Sequence, residues 1–351
     1  MLMHPQSEDE KSTSLLIDNR TNEEHNSFPQ DDQSYDDNLE SAVDDECFEL
    51  LDVCGRLEKE NEESWEDVRA WLRSHSLENK FDASMMVEED NVSPLHMICL
   101  KSPPMDVVMD ILDCAPESVQ LLNDKGWLPL HCACYYNASY DVIRLLTEKF
   151  PEGSITQDLE GRTPLHYALM RENSTASVDV VSTLLTFANC CHIEDLDGLI
   201  PLHFACVYAA QESVILLLIK GRHDTIVKKD KTEQHRTPLH YLMSNGDRAR
   251  AHTILEILMK KKPSVVNIVD SKQLLPIESL GVRAKGLDLE NVEGRKNILR
   301  CLSIYLNGAL ESKTELFHAL QSLPDWMKDE AIVRPEVQQM LNKTTSEVNG
   351  L

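Results

Sequence analysis

Thirteen histidines and ten cysteines are the residues of this sequence whose chemistry could make it a metalloprotein or an enzyme. Five of the histidines, His96, His131, His166, His203 and His240, close a Pro-Leu-His tripeptide, and successive copies lie 35, 35, 37 and 37 residues apart. Residues at one position of a repeating unit stand in a row, one per unit, and a row cannot converge on a single ion. The chemistry left to each imidazole is local: a ring nitrogen bonding the turn backbone where a helix starts. No His-Glu-x-x-His pairing is present. Cys99, Cys134 and Cys206 share one repeat position and read as small core residues. Cys190-Cys191 are vicinal and Cys132/Cys134 are separated by one residue, but Cys-x-x-Cys and four-ligand zinc spacings are absent. Phosphate-binding Gly-rich loops and the Gly-x-Ser-x-Gly elbow are also missing. The expectation is no catalytic residue, no metal and no cofactor.

The elements that carry the tripeptides repeat with them. Gly126, Gly161 and Gly198 sit three residues before the proline, where a tight turn needs positive φ. Asp158, Asp195 and Asp270 sit six residues before it. Proline at a first helical position costs no hydrogen bond, and apolar pairs such as Ala133-Cys134 and Ala205-Cys206 follow each histidine. A second apolar block, such as Val142-Ile143 with Leu145-Leu146, has the spacing of an amphipathic helix stripe. Each unit reads turn, short helix, turn, longer helix. One such pair cannot bury its stripe alone, so neighbouring units must stack.

These units resemble ankyrin repeats, whose helix start is Thr-Pro-Leu-His-x-Ala. Thr163-Pro164-Leu165-His166-Tyr167-Ala168 matches it throughout, and Thr237-Pro238-Leu239-His240 matches its first four residues. The units are slightly longer than the family's usual length, and unit five carries His235 where the turn glycine belongs. The resemblance implies an all-α solenoid of stacked helix-turn-helix units with short hairpin tips. Its domain would cover residues 46–311: a degenerate first unit over 46–87, five clear units over 88–269 and a degenerate last unit over 270–311. In the first unit, Cys47 to Leu57 and Ser64 to His75 form a helix pair, with Ser64…Asp67 at capping-box spacing. In the last, Leu274 to Val282 and Arg295 to Leu306 flank an inserted loop at 283–294.

Resemblance also implies a recognition surface on the concave side, at positions five, four and two before the proline and six or seven after it. Carried onto this chain, these positions include Trp127, Tyr135, Tyr136, Arg162, Arg171, Tyr208 and Arg236, the residue types that dominate binding hot spots. The competing reading is that Trp127 packs on its own hairpin and the tyrosines plug the stack. Lys220, Arg222, Lys228, Lys229, Lys231 and Arg236 form a basic stretch that reads as a solvated face or as a dock for something acidic.

Net charge is −26, and residues 1–90 hold 27 acidic against 7 basic side chains. An acidic balance argues against nucleic acid, whose phosphates bind Lys and Arg. Residues 1–45 combine high charge with few apolar residues and are expected to be disordered. The N-terminus has no secretory signal pattern and no apolar run could span a bilayer, so a cytoplasmic, monomeric protein is expected. The tail, 312–351, is expected to form short helices and then disorder. It is similar to the segment preceding a membrane span in some microalgal ankyrin-repeat membrane proteins. The functional expectation is a non-catalytic scaffold for a partner protein. The alternative is a soluble or truncated regulatory part of an ankyrin-repeat membrane protein, with membrane association the lesser reading.

Overall fold

The computed structural model describes residues 45–57, 62–170, 177–187, 190–288, 290–308, 323–324 and 326–327. The leader before residue 45 and most of the 312–351 tail lie outside the described residues, and with them the expectations of disorder there. Among the described residues there are fifteen α-helices and no strand. At the N-terminal end are α1 (Asp45–Gly55), α2 (Glu62–Ser74) and α3 (Leu77–Met85). Six helix pairs follow: α4 (Pro94–Cys99) with α5 (Met105–Cys114), α6 (Pro129–Tyr135) with α7 (Tyr140–Lys149), α8 (Pro164–Leu169) with α9 (Val178–Phe187), α10 (Pro201–Val207) with α11 (Glu212–Ile219), α12 (Pro238–Ser244) with α13 (Ala251–Lys261), and α14 (Pro276–Lys285) with α15 (Val292–Gly308).

First helices pack on first helices and second on second: α6 touches α4 and α8, α12 touches α10 and α14, and α13 touches α11 and α15. The shared core is aliphatic, with Leu130, Val142 and Leu146 of one unit and Leu165, Val181 and Leu184 of the next all buried. Each such side chain contributes about 1.5–3 kcal/mol of burial that an isolated unit could not obtain.

The imidazoles join the units. Each Nδ1 accepts the backbone N–H of the residue before the proline: Leu128 N to His131 at 3.0 Å, Thr163 N to His166 at 3.0 Å and Ile200 N to His203 at 3.0 Å. Accepting there places the ring proton on Nε2, which donates to a carbonyl of the next unit's hairpin. His96 reaches Trp127 O at 2.8 Å, His131 Arg162 O at 3.3 Å, His166 Leu199 O at 3.2 Å and His240 Leu274 O at 3.2 Å. His203 Nε2 lacks such a partner, and the hairpin it faces is two residues longer. In the last pair Glu278 replaces histidine, and its Oε2 accepts Leu275 N–H at 2.7 Å. A carboxylate has the acceptor but not the donor that the histidines present to the next hairpin. The expected local histidine role is therefore what the geometry contains.

Both ends differ from the sequence expectation. The first helix pair is three helices, because Ser76 caps an added α3 (Asn79 N to Oγ, 3.2 Å) in which only Ala83 and Ser84 are buried. So short a buried stripe gives no visible periodicity. Ser64 lies inside the first turn of α2 instead of before it. The loop expected over 283–294 shrinks to 286–291, because α14 runs on to Lys285 and Asn291 Oδ1 caps α15 by accepting Gly294 N–H at 2.8 Å. Beyond α15, Leu323 and Met327 are buried and the Trp326 ring lies 4.6 Å from the Arg295 guanidinium. Gly281 makes room for this cover, since a Cβ there would come within 2.8 Å of Leu323 Cδ2.

Burial depresses all five imidazoles, taking His131, His203 and His240 down to about 4 and His166 to about 3. The unfolded chain takes up protons on these rings below about pH 6.5, so their contribution to stability is complete above that pH and is lost as pH falls toward 4. By pH 5 the loss is on the order of 2 kcal/mol for each of His131, His166, His203 and His240. Urea denaturation at pH 7 and pH 5 is expected to show a large drop in the midpoint at pH 5. His131→Gln keeps an acceptor for Leu128 N–H without a titrating ring, so it should start less stable and lose less over the same interval. An equal loss in both proteins would refute the linkage.

Candidate functional site: the hairpin tips and the aromatic strip

Between units the chain turns through a hairpin whose base is closed by backbone bonds, as Asp158 N to Arg162 O at 3.0 Å and Asp195 N to Leu199 O at 3.0 Å. The side chain six before the proline closes the turn from inside. Asp195 Oδ1 accepts Asp197 N–H at 3.0 Å and Leu199 N–H at 2.8 Å, and Asp158, Asp270 and Asn123 do the same in their turns. Unit five departs: Asp230, eight residues before Pro238, takes the role by accepting from Thr232 N at 3.1 Å and Thr232 Oγ1 at 2.7 Å. The position three before the proline has positive φ in every unit, at Asn91 (56°), Gly126 (73°), Gly161 (76°), Gly198 (76°), His235 (47°) and Gln273 (62°). His235 does adopt the glycine conformation.

Successive tips are hydrogen-bonded into a ladder: Asp124 N to Asp90 O (2.8 Å), Leu159 N to Lys125 O (3.1 Å), Leu196 N to Glu160 O (3.0 Å), Lys231 N to Asp197 O (2.7 Å) and Ser271 N to Gln234 O (2.8 Å). Gly161 is required here twice over, by its φ and because a Cβ would stand 2.9 Å from Leu196 N.

Buried carboxylates under the tips hold the aromatic strip. Asp158 Oδ2 accepts from Trp127 Nε1 at 2.9 Å and from Tyr167 OH at 2.5 Å. Trp127, Tyr135 and Tyr167 pack at tilted and edge-on angles with centroids 4.6–5.7 Å apart, and Tyr136 meets Tyr135 edge-on at 4.9 Å. Asp230 Oδ2 likewise accepts Tyr241 OH at 2.7 Å. Unit four breaks the pattern with Phe204 at the tyrosine position. Asp195 Oδ2 there has no hydrogen-bond partner, although its side chain is 1% exposed, and Arg162 Nε stands 3.6 Å away. Desolvation pushes this carboxyl up to about 6 despite the Leu199 N–H and Arg162 charge that oppose it.

Of the expected contact residues, Trp127, Tyr135, Tyr136, Arg162, Tyr208 and Arg236 are all half-buried, and Arg171 lies outside the described residues. Trp127 is tied to the neighbouring hairpin through Asp158 and not only packed on its own. Arg162 is paired with Glu160 and lies 5.7 Å from the Phe204 ring; Arg236 Nε is 3.9 Å from Asp270. Arg248 lies 5.7 Å from the Tyr208 ring. In the basic stretch, Lys228 and Lys231 both bridge to Glu194, at 2.5 and 2.8 Å. Thiol chemistry is suppressed by burial, which takes Cys132 and Cys190 up to about 12 and raises Cys99, Cys134 and Cys206 as well. The sequence reading passed over Leu159 and Leu196, which are 71% and 74% exposed at the tips. Their signal is the repeat register itself, since both lie five residues before a proline, one of the contact positions the resemblance implies.

A family model for ankyrin repeats, in three copies, matches residues 95–192. No curated protein matches the chain. Among the described residues no helix is long and apolar enough to cross a membrane.

Phe204→Tyr would give Asp195 Oδ2 the donor that Tyr167 gives Asp158. A raised carboxyl favours the protonated fold, so Asp195 lowers stability as pH rises from about 4 to about 6. The variant is expected to be about 1 kcal/mol more stable at pH 7 and little changed at pH 5. A urea midpoint at pH 7 no higher than that of the parent would contradict the assignment.

Proposed function

We propose, on the premise that the chain is an ankyrin-repeat protein, that it is a monomeric cytoplasmic scaffold without catalysis, holding a partner protein on its concave face. Stacked repeats present extended concave surfaces that bind other proteins. The observation that carries the reading is the strip of half-buried rings and guanidinium groups at recurring repeat positions: Tyr135 and Tyr136 at the end of α6, Tyr208 at the end of α10, and Arg162 and Arg236 two residues before the prolines that start α8 and α12. Half-buried rings fixed by neighbours lose little entropy when a partner covers them, which is the condition for an anchor. The buried thiols of Cys99, Cys132, Cys134, Cys190 and Cys206 and the backbone-bridging imidazoles of His96, His131, His166 and His240 support the absence of catalysis at these positions, because none of them is available as a nucleophile or general base.

Tyr136→Ala combined with Tyr208→Ala tests the assignment while leaving the Trp127–Asp158 bond in place. Partners would be captured on the full-length protein, identified, and titrated against parent and variant. Weakening by tenfold or more is expected, with an unchanged denaturation midpoint. Unaltered affinity in a folded variant would move the contact off this strip.

A further inference from the structure

Leu159 and Leu196 occupy the same turn position in consecutive units and are 71% and 74% exposed. Single exposed leucines are ordinary; two in register on tips joined by a backbone hydrogen bond form a line. Around them, the exposed turn positions carry carboxylates: Asp90, Asp124, Glu160 and Asp197. Lys125 is the exposed cation on these four turns among the described residues, and Arg162 beside them is held by Glu160. The edge formed by the tips of units one to four is thus apolar in its middle and acidic along its length.

We propose that this edge binds a basic amphipathic helix of a partner protein, with two apolar side chains seven residues apart seated on Leu159 and Leu196. Packed helix layers lie about 10 Å apart, which sets the separation of adjacent tips. Seven helical residues rise about 10.5 Å and return to the same face, whereas an extended chain covering that distance in three residues turns its second side chain away. Lys and Arg flanking the apolar pair meet Asp124, Glu160 and Asp197; an acidic helix would set like charges against them. The inference rests on the array being an interaction scaffold and adds the partner's chemistry and a contact line separate from the tyrosine strip.

The probes are three synthetic helical peptides titrated into the full-length chain by fluorescence anisotropy: one with two leucines seven apart among lysines, one of the same composition in scrambled order, and one with glutamate for lysine. Only the first should bind well, and its affinity should fall as salt is raised. Leu159→Ser with Leu196→Ser should weaken it at least about tenfold, since the two leucines supply the apolar contact. Glu160→Lys with Asp197→Lys should weaken it and flatten the salt dependence. Equal binding by the scrambled peptide, or undiminished binding to the leucine variant, overturns the proposal, because the acidic N-terminal segment would then be taking the peptide by charge alone. Absence of binding overturns it too. A partner lost with the tyrosine variant but retained by the leucine variant sinks this inference and leaves the concave-face reading standing; leucine-dependent peptide binding beside an unaffected tyrosine variant does the reverse.

Discussion

A neutral imidazole that accepts from its own helix and donates to the next hairpin is the interaction on which this fold turns. Hydrophobic stacking favours adjacency of the helix pairs but is non-directional and would tolerate slippage. The His96, His131, His166 and His240 bridges add direction, since each ring must sit where the N–H before one proline and a carbonyl two before the next proline are both in reach. Buried polar groups left unmade cost 1–3 kcal/mol each, so the row fixes the offset between units more strictly than the core does. Protonation converts the acceptor into a donor facing another donor, and so the bridge demands that the ring stay neutral.

Much of this was written in the sequence because the signals were local and repeated. Pro-Leu-His marks six-to-seven-residue helix starts, and the glycines three before the proline mark the left-handed turns. What the sequence did not yield depended on contacts from elsewhere. Asp230 escaped notice because two extra residues displace it from its register, and only Tyr241 OH and Thr232 identify its role. Helix α3 escaped because its stability comes from a cap and its packing on α1 and α5. The aromatic residues were visible by type, but their division of labour was not. Trp127 is bound to a carboxylate thirty-one residues away, while Tyr136 meets the Tyr135 ring edge-on and Tyr208 lies under the Arg248 guanidinium.

The carboxylates beneath the tips explain why surface and fold are so closely coupled. One oxygen of Asp158 closes its own turn and the other holds Trp127 and Tyr167, so the hairpin and the ring strip are positioned by a single side chain. The same position in unit four spends its inner oxygen on nothing, because Phe204 lacks the hydroxyl. Arg162 then leans over the Phe204 ring with its Nε also unsatisfied. A buried acceptor and a buried donor 3.6 Å apart mark this as the least settled point of the concave strip.

Charge follows the same division between what holds the array and what faces outward. Lys228 and Lys231 are occupied by Glu194, Arg236 stands beside Asp270, and Arg283 forms a two-pronged pair with Asp247 at 2.7–2.8 Å. Three of the six residues of the basic stretch, Lys228, Lys231 and Arg236, therefore stand beside carboxylates of neighbouring units. Among the described residues the carboxylates at Asp90 and Asp197 have no such cross-unit pairing; what crosses between tips there is backbone, through their carbonyl oxygens. The ladder itself uses only main-chain atoms, so it does not fix the side chains at four and five before each proline, although Asp124 Oδ1 also accepts from Asn91 Nδ2 at 2.5 Å. The fold thus leaves those positions free to differ from unit to unit, and Leu159 and Leu196 among acidic neighbours are the way this chain has used that freedom.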